Sequence, residues 1–375
     1  MSAVERPVLL AAGGTGGHMF PAEALARALI ARGRRVALVT DARSGGFGDR
    51  LPDVAVHRIE AAGIAGTGIT QRARGACRLA LGFLQARRLL RRIDPAISVG
   101  FGGYTSVPPL LAAQRSGRRT VLHEQNAVLG RANRLLARRA TAIATSFDSV
   151  RAIPSGRAAR ITLTGNPVRP AIAALASLPY PAPTTGGPLN ILVLGGSLGA
   201  TVFATIVPGA MTQLAAAERS RISLVQQCRA ENLDATRAAY AQLGMKVELA
   251  PFFQDMPERL AAAQLVIARA GASTVAEMTA AGRPALLVPY PHATDDHQRA
   301  NAEALVKGNA GWLLAQPEFT DKALAERLRA WLADPMPLVA AAARARMLGR
   351  RDAADRLADL VLATAGSATI EERAA

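Results

Sequence analysis

The sequence predicts an α/β protein of two doubly wound units with parallel sheets, and three observations point to it. Two segments share one grammar, an apolar run followed by a glycine-rich turn and a helix. They are Val8 to Ala12 before Gly13-Gly14-Thr15-Gly16-Gly17-His18, and Ile191 to Leu194 before Gly195-Gly196-Ser197-Leu198-Gly199-Ala200. Further apolar runs at Ile97 to Val99, Thr120 to His123, Ile222 to Gln226, Leu265 to Ala268 and Ala285 to Pro289 alternate with helical stretches, as buried parallel strands require. Between the two glycine turns, Leu178 to Pro188 is filled with prolines and glycines that remove both helix and sheet options, which marks an interdomain linker.

The elements follow in order. After the first turn, Pro21 sits near a helix start, Leu25, Ala28 and Leu29 recur at helical spacing, and Gly33 closes the helix before a strand at Val36 to Thr40. Ala353 to Ala363 reads as a late helix, and the tail from Gly366 as loosely ordered. A chain of 375 residues, half of them apolar, is long enough for two such cores.

Composition narrows the class. Cys77 and Cys228 are too few and too far apart for a disulfide framework or a zinc cluster, and read as reduced thiols of a cytosolic protein. Val8 to Ala12 is too short for a signal-peptide core, and no apolar run has the length of a membrane-spanning helix. The net charge of +17 is lopsided: residues 1–165 hold 25 Lys and Arg against 9 Asp and Glu, the remainder 20 against 19. A basic half of this kind implies an anionic partner, whether nucleic acid, anionic lipid or a phosphorylated ligand.

The first glycine turn is not the dinucleotide fingerprint, because counting from Gly14 and Gly16 puts Met19 where the last glycine belongs, and no phosphate-loop motif occurs. Glycines there let backbone N–H groups approach an anion at a helix N-terminus, although a tight turn without ligand explains one such loop equally well. The second turn and a third cluster at Gly100-Phe101-Gly102-Gly103-Tyr104 shift the balance towards phosphate binding. His18, directly after the glycines, is the best candidate among five histidines for a general base. Glu277 admits two readings: a carboxylate for the hydroxyls of a ribose, or the acidic end of the capping box Thr274-Val275-Ala276-Glu277, which spacing alone favours. The carboxylates and imidazoles crowded into Pro291 to Gln298 are a poor metal geometry, with adjacent aspartates and His297 and Gln298 opening a helix, and no Asp-x-Asp motif appears.

Six ordered motifs carry a resemblance. They are Gly13 to His18 with Pro21-Ala22; Gly100 to Pro108; His123-Glu124-Gln125-Asn126 with Gly130 and Asn133; Gly165-Asn166-Pro167-Val168-Arg169; Gly195 to Ala200; and Arg269 to Glu277. Together they resemble glycosyltransferase family 28, from Gly13 to about Asn301. The resemblance implies the GT-B fold, two doubly wound Rossmann-like domains with parallel sheets facing a central cleft. It divides the chain into an acceptor- and membrane-binding domain (1–165), a linker (166–188), a UDP-sugar-binding domain (189–350), and a C-terminal helix packing back on the first domain with a tail (351–375).

The activity implied is inverting transfer of N-acetylglucosamine from UDP-N-acetylglucosamine to the 4-hydroxyl of undecaprenyl-pyrophosphoryl-N-acetylmuramoyl-pentapeptide, in peptidoglycan synthesis, without cofactor or metal. Carried over by motif, His18 is the base, with Glu124 as a second catalytic candidate. Ser197 and Arg169 face the diphosphate, Glu277 the ribose, and Phe253 with Ala272, Ser273, Thr274 and Val275 the uracil. Asn126 and Gln298 bind the sugar, Thr15, Gly16 and Gly17 close on it, and Gly102, Gly103, Tyr104 and Ser106 meet the acceptor. Departures are mild: Ala268 stands where the family often has Ser, His297 where Gln or His is usual, and Phe253 replaces a common aliphatic residue.

The implied location is peripheral, on the cytoplasmic face of the inner membrane, with an anionic lipid surface and proteins of cell-wall synthesis and division as partners. Within Cys77 to Arg92, Leu79, Phe83, Leu84 and Leu90 are interleaved with Arg78, Arg87, Arg88, Arg91 and Arg92, which suits an interfacial helix and, equally, a surface helix packing its leucines on the sheet. Three competitors weigh less. Transfer to another lipid would need different second and third motifs, nucleic-acid binding would need stacking aromatics or a helix-turn-helix, and nicotinamide chemistry lacks its fingerprint.

Overall fold

A computed structural model describes residues 6–13, 16–41, 51–52, 54–61, 69–155, 159–196 and 199–366, with 69–74 by backbone alone. The chain forms two compact units, one of residues 1–167 with 352–375, the other of residues 168–351.

The first unit holds seven strands: β1 Val8–Ala11, β2 Val36–Thr40, β3 Ala55–Arg58, β4 Ile97–Gly100, β5 Thr120–Glu124, β6 Ala142–Thr145 and β7 Arg160–Leu163. They lie in the order β3-β2-β1-β4-β5-β6-β7, every pair parallel. Helices α1 (Gly16–Ile30), α2 (Ile69–Ile93), α3 (Gly103–Arg115) and α4 (Arg131–Ala137) connect them. All residues of β1, β2, β4, β5 and β6 are buried, which is why their sequences are mainly apolar rather than alternating, although β5 ends in the polar pair His123-Glu124.

Helix α1 buries Met19, Ala22, Leu25, Ala26 and Leu29, a stripe at three- and four-residue spacing. It ends at Gly33, whose φ of 73° is the left-handed conformation a C-terminal cap demands. Helix α1 begins at Gly16, so Pro21 lies inside it, near the start. Lacking an N–H, Pro21 leaves the Gly17 carbonyl without its helical hydrogen bond.

The second unit repeats the design. Strands β8 (Leu189–Leu194), β9 (Ile222–Gln227), β10 (Glu248–Ala250), β11 (Leu265–Ala268), β12 (Ala285–Leu287) and β13 (Gly311–Leu313) form a parallel sheet ordered β10-β9-β8-β11-β12-β13. Its helices are α5 (Pro170–Ala173), α6 (Thr201–Thr212), α7 (Ala216–Arg219), α8 (Leu233–Gln242), α9 (Met256–Ala262), α10 (Ala272–Ala281), α11 (His297–Lys307), α12 (Asp321–Ala333) and α13 (Met336–Leu348). In both sheets the strand order reverses beside the first strand of the unit, between β1 and β4 and between β8 and β11. Ligands of open α/β sheets bind at such a switch point, at the carboxyl ends of the strands.

The Pro- and Gly-rich stretch is fastened to the second unit. The Tyr180 hydroxyl donates to the Gln264 carbonyl at 2.7 Å, Gln264 Nε2 donates to the Pro181 carbonyl at 2.9 Å, and Arg283 stacks 5.6 Å from the Tyr180 ring. Burial pushes the Tyr180 hydroxyl far above its ordinary pKa. Arg283 is itself buried, and spends its guanidinium on the carbonyls of Leu260, Ala261, Ala281 and Gly282. A buried cation without a carboxylate is tolerated when its donors are hydrogen-bonded in this way.

After the second unit the chain returns. Helix α14 (Ala353–Gly366) lays Leu357, Ala358, Leu360 and Val361 into the core that contains Leu25 and Leu29 of α1. Arg32 pairs with Asp355 and Asp359, both at 3.0 Å, and Arg119 donates to the Thr364 carbonyl at 2.9 Å. The apolar contacts dominate, since both aspartates are more than half exposed and such pairs contribute about 1 kcal/mol or less. Leu357→Ala is therefore expected to lower the stability of the first unit by about 3 kcal/mol, and Arg32→Ala by about 1 kcal/mol or less. Urea unfolding followed by circular dichroism measures both, and equal losses would put the ion pairs in charge.

Candidate active site

In the first unit the site is built on the carboxyl ends of β1, β4 and β5. Gly13 follows β1, where a Cβ would lie 2.5 Å from Thr105 Oγ1, so no other residue fits without moving α3. Thr105 in turn donates to the buried Asp41 carboxylate at 3.3 Å. Gly102 and Gly103, with φ of 83° and 70°, turn from β4 into α3. Cβ atoms there would stand 3.4 and 3.3 Å from the His18 ring, so this turn lies directly against the imidazole. His18 is the third residue of α1, and its Nδ1 lies 3.3 Å from Gln125 Oε1.

Strand β5 ends in His123-Glu124 and continues into Gln125-Asn126. The two-residue alternation of a strand sends His123 and Gln125 one way and Glu124 the other. His123 is fully buried, with Nε2 at 3.1 Å from the Gly165 carbonyl and Nδ1 at 2.9 Å from Gln125 Nε2. Burial, first of all, brings its pKa down from 6.5 to about 4, with the Gly165 carbonyl pulling the other way. Glu124 is also buried, and both oxygens are committed: Oε1 accepts from the backbone N–H of Asn126 at 3.0 Å and its side-chain amide at 3.3 Å, and Oε2 accepts from Gly130 N at 2.8 Å and Asn133 Nδ2 at 2.9 Å. Of the expected acceptor residues, Gly102 and Gly103 touch His18 and Tyr104 is exposed, but the Ser106 hydroxyl is buried and donates to the Gly103 carbonyl at 2.9 Å. Ser106 therefore holds the turn. Asn166 is buried as well, and neither end of its amide has a partner among the described residues.

In the second unit the turn after β8 is held from the side. Gln227 Oε1 accepts from Gly195 N at 3.1 Å, while Gln227 Nε2 donates to the carbonyls of Gly196 and Pro251. A Cβ at Gly195 would meet Ala200 N at 2.5 Å, and Gly196 and Gly199 have φ of 80° and 67°. Thr15 and Ser197, both expected at the donor, lie outside the described residues.

Helix α10 begins at Ala272 behind an extended Gly271, so the N–H groups of Ala272, Ser273 and Thr274 open the first turn. This start corrects the capping-box reading. A box needs Thr274 at the non-helical cap position, but the helix begins earlier and Glu277 sits within it. Glu277 instead accepts from Arg169, with Nη2 at 3.0 Å and Nε at 3.1 Å from Oε1. Burial pushes its carboxyl above the ordinary range despite the pull of Arg169. Gln298 Oε1 accepts from Tyr290 N at 2.9 Å, and the buried Asn301 ties α11 to the Ala270 carbonyl at 3.0 Å.

Phe253 departs from expectation in detail. Its ring is buried beneath the Arg259 guanidinium, 4.0 Å from the ring centre, so only its main chain is left to meet a base. The neighbouring Phe252 is 70% exposed. No motif in the sequence assigns an individual role to Gln125, Gln227, Arg269 or Asn301. Arg269 is buried, donates to the carbonyls of Val288 and Pro289 and to Gln316, and so fixes the chain just ahead of α10. For Gln227 and Arg269 the only signal is a polar residue at the edge of an apolar run, and Gln125 and Asn301 have none.

The His123 environment sets a pH dependence. A histidine kept neutral by burial is easier to protonate in the unfolded chain, so its contribution is complete above pH 6.5 and is lost as pH falls towards 4. The loss amounts to about 3 kcal/mol over that window. Urea unfolding of His123→Phe between those pH values should show a shallower decline than the parent protein; parallel curves would mean that His123 titrates normally.

Two family models match the chain, the glycosyltransferase family 28 N-terminal domain over residues 8–145 and the family's C-terminal domain over residues 190–357. The chain is 59% identical over 360 residues to the UDP-N-acetylglucosamine--N-acetylmuramyl-(pentapeptide) pyrophosphoryl-undecaprenol N-acetylglucosamine transferase of Rhodospirillum centenum, covering 96% of this chain and 95% of that one. It is 52% identical over 360 residues to the protein of the same name from Granulibacter bethesdensis, covering 95% and 93%. Among solved structures, Acinetobacter baumannii MurG superposes with a TM-score of 0.76 at 31% identity, covering 95% of this chain and 99% of that one. A glycosyltransferase of kitacinnamycin superposes at 0.71 with 16% identity, which speaks for the fold alone. With two parallel-sheet α/β units of the GT-B class, and matched along nearly its whole length, the chain belongs to glycosyltransferase family 28.

Proposed function

We propose that the protein transfers N-acetylglucosamine from UDP-N-acetylglucosamine to the 4-hydroxyl of the muramoyl sugar in undecaprenyl-pyrophosphoryl-N-acetylmuramoyl-pentapeptide. The observation that carries this reading is the 59% identity to a transferase of that name across 96% of the chain. The geometry supplies compatible parts. In the first unit, His18 takes the proton of the acceptor hydroxyl, the freed oxygen attacks the anomeric carbon, and the bond from that carbon to the UDP oxygen breaks with inversion. The turn of Gly102 and Gly103 and the exposed Tyr104 receive the acceptor beside His18.

In the second unit, the first-turn N–H groups of α10 and the glycine turn after β8 receive the nucleotide, and their dipoles stabilise the departing diphosphate. Arg169 adds charge there, and Glu277 receives the ribose hydroxyls; the ion pair between them holds both side chains in place beforehand. Ser197 faces the diphosphate with Arg169, the Phe253 main chain lies on the uracil side, and Gln298 serves the sugar; on the first unit, the sugar falls to Asn126, with Thr15, Gly16 and Gly17 closing on it. Glu124, with four donors on its two oxygens, serves best as the anchor of Asn126 and of the 130–133 turn, which leaves the proton transfer to His18.

The same reading places the protein peripherally, on the cytoplasmic face of the inner membrane, where proteins of cell-wall synthesis and division would meet it. No helix of the described residues is long and apolar enough to cross a membrane. Helix α2 divides its apolar residues: Ala86, Leu89 and Leu90 are buried, whereas Leu81 and Leu84 are about half exposed beside the exposed Arg78, Arg87, Arg88, Arg91 and Arg92. Apolar side chains flanked by arginines suit the boundary of an anionic bilayer.

The test is transfer of labelled N-acetylglucosamine from UDP to a short-chain lipid-linked muramoyl-pentapeptide, in the presence of EDTA. The parent protein should transfer, and His18→Ala should lose on the order of 10²–10⁴ in rate. Unimpaired transfer by the variant would remove His18 as base, and none by the parent would remove the acceptor assignment. Leu81→Glu with Leu84→Glu should weaken co-sedimentation with phosphatidylglycerol vesicles and leave transfer to a water-soluble acceptor unchanged; undiminished sedimentation would remove this face from membrane contact.

A further inference from the structure

We infer that Gln125 and His123 are positioning residues that fix the tautomer of His18, placing its ring hydrogen on Nδ1 and its lone pair on Nε2. The inference deepens the reading of His18 as base and rests on it for its catalytic meaning. The chain of hydrogen bonds has a single consistent polarity, because it starts from main-chain carbonyls, which only accept. The Gly165 carbonyl, 3.1 Å from His123 Nε2, requires a hydrogen on that nitrogen. In the neutral ring that burial enforces, the lone pair then lies on Nδ1, which accepts from Gln125 Nε2 at 2.9 Å.

The Gln125 amide is oriented independently by the Phe101 carbonyl at 3.0 Å and the His123 carbonyl at 3.3 Å, both facing Nε2. Three acceptors converge on the NH₂ group, so the amide cannot be turned over without setting its oxygen against two carbonyl oxygens. Gln125 Oε1 is thereby committed to face His18 Nδ1 at 3.3 Å, and an oxygen there requires a hydrogen on Nδ1. The arrangement does for His18 what the aspartate of a serine-protease triad does for its histidine, but with an uncharged amide. The hydrogen stays on Nδ1, donated to Gln125 Oε1, before and after Nε2 takes a proton, so the imidazolium forms without rearrangement. As the ring becomes charged, that hydrogen bond strengthens.

A neutral imidazole left to itself populates both tautomers and favours the hydrogen on Nε2, the form unable to act as base from that nitrogen. Removing the Gln125 amide is therefore expected to lower kcat without weakening donor binding.

The experiment is nitrogen NMR of the full-length protein labelled with ¹⁵N-histidine, the His18 signals being identified by their loss in His18→Ala. Above the His18 pKa, the parent protein should show a protonated Nδ1 and an unprotonated Nε2. In Gln125→Met, which keeps the side chain's length, the two nitrogens should average towards a mixture, with kcat down about tenfold and KM for UDP-N-acetylglucosamine within about twofold. A parent spectrum with the hydrogen on Nε2 would overturn the inference without any variant, and so would an unchanged tautomer and kcat in Gln125→Met. If His18→Ala keeps full activity while the parent shows the Nδ1 hydrogen, the base assignment falls and the tautomer assignment stands.

Discussion

At the carboxyl end of β5, three consecutive polar residues enter the core of the first unit, and each must satisfy its hydrogen bonds without water. That requirement shapes everything nearby. His123 binds the carbonyl of Gly165, forty-two residues on, Glu124 gathers four donors from the 126–133 turn, and Gln125 bonds back across the sheet to the end of β4. An unsatisfied member would cost about 1–3 kcal/mol, so the three strand ends and the turns behind them are locked to one another. The glycine turns after β1 and β4 then have a fixed surface to fold against, and His18 is set down upon it.

The second unit solves the same problem with different residues. Its two glycine-flanked strand ends are braced by Gln227 on one side and by Arg269 on the other, each binding main-chain carbonyls rather than charges. Used in this way, both side chains position the backbone around the strand ends, and Arg269 brings its positive charge with it. The first turn of α10 keeps its dipole directed at whatever occupies the switch point. The two halves of the molecule are thus alike in architecture but differ in what they present: an imidazole in one, a helix N-terminus and a carboxylate in the other.

Much of this was legible in the sequence, for physical reasons that can be named. Apolar runs that end in glycines announce buried strands feeding a tight turn, and β1 and β8 fall where such runs predict them; β2 and β11 follow from the apolar run alone. Local reasoning failed where an interaction was long-range. Thr274-Val275-Ala276-Glu277 matches a capping box letter by letter, yet Gly271 starts the helix early and Arg169, more than a hundred residues away, claims the carboxylate. Nothing local at Phe253 announces that Arg259 covers its ring. Gln125 has no local signature at all, since its meaning depends on carbonyls contributed by Phe101 and His123 and on an imidazole from α1.

The return of α14 to the first unit has a consequence for how the molecule is made. The second unit is an insertion: residues 168–351 are synthesised between the bulk of the first unit and the helix that completes it. Domains emerging from a ribosome usually fold in order from the N-terminus. Here the unit begun first is finished last, and until Leu357 and Val361 arrive, α1 presents an apolar face to solvent or to a chaperone. A ribosome stalled anywhere within the second unit would therefore display a chain whose later half can be folded while its earlier half still waits.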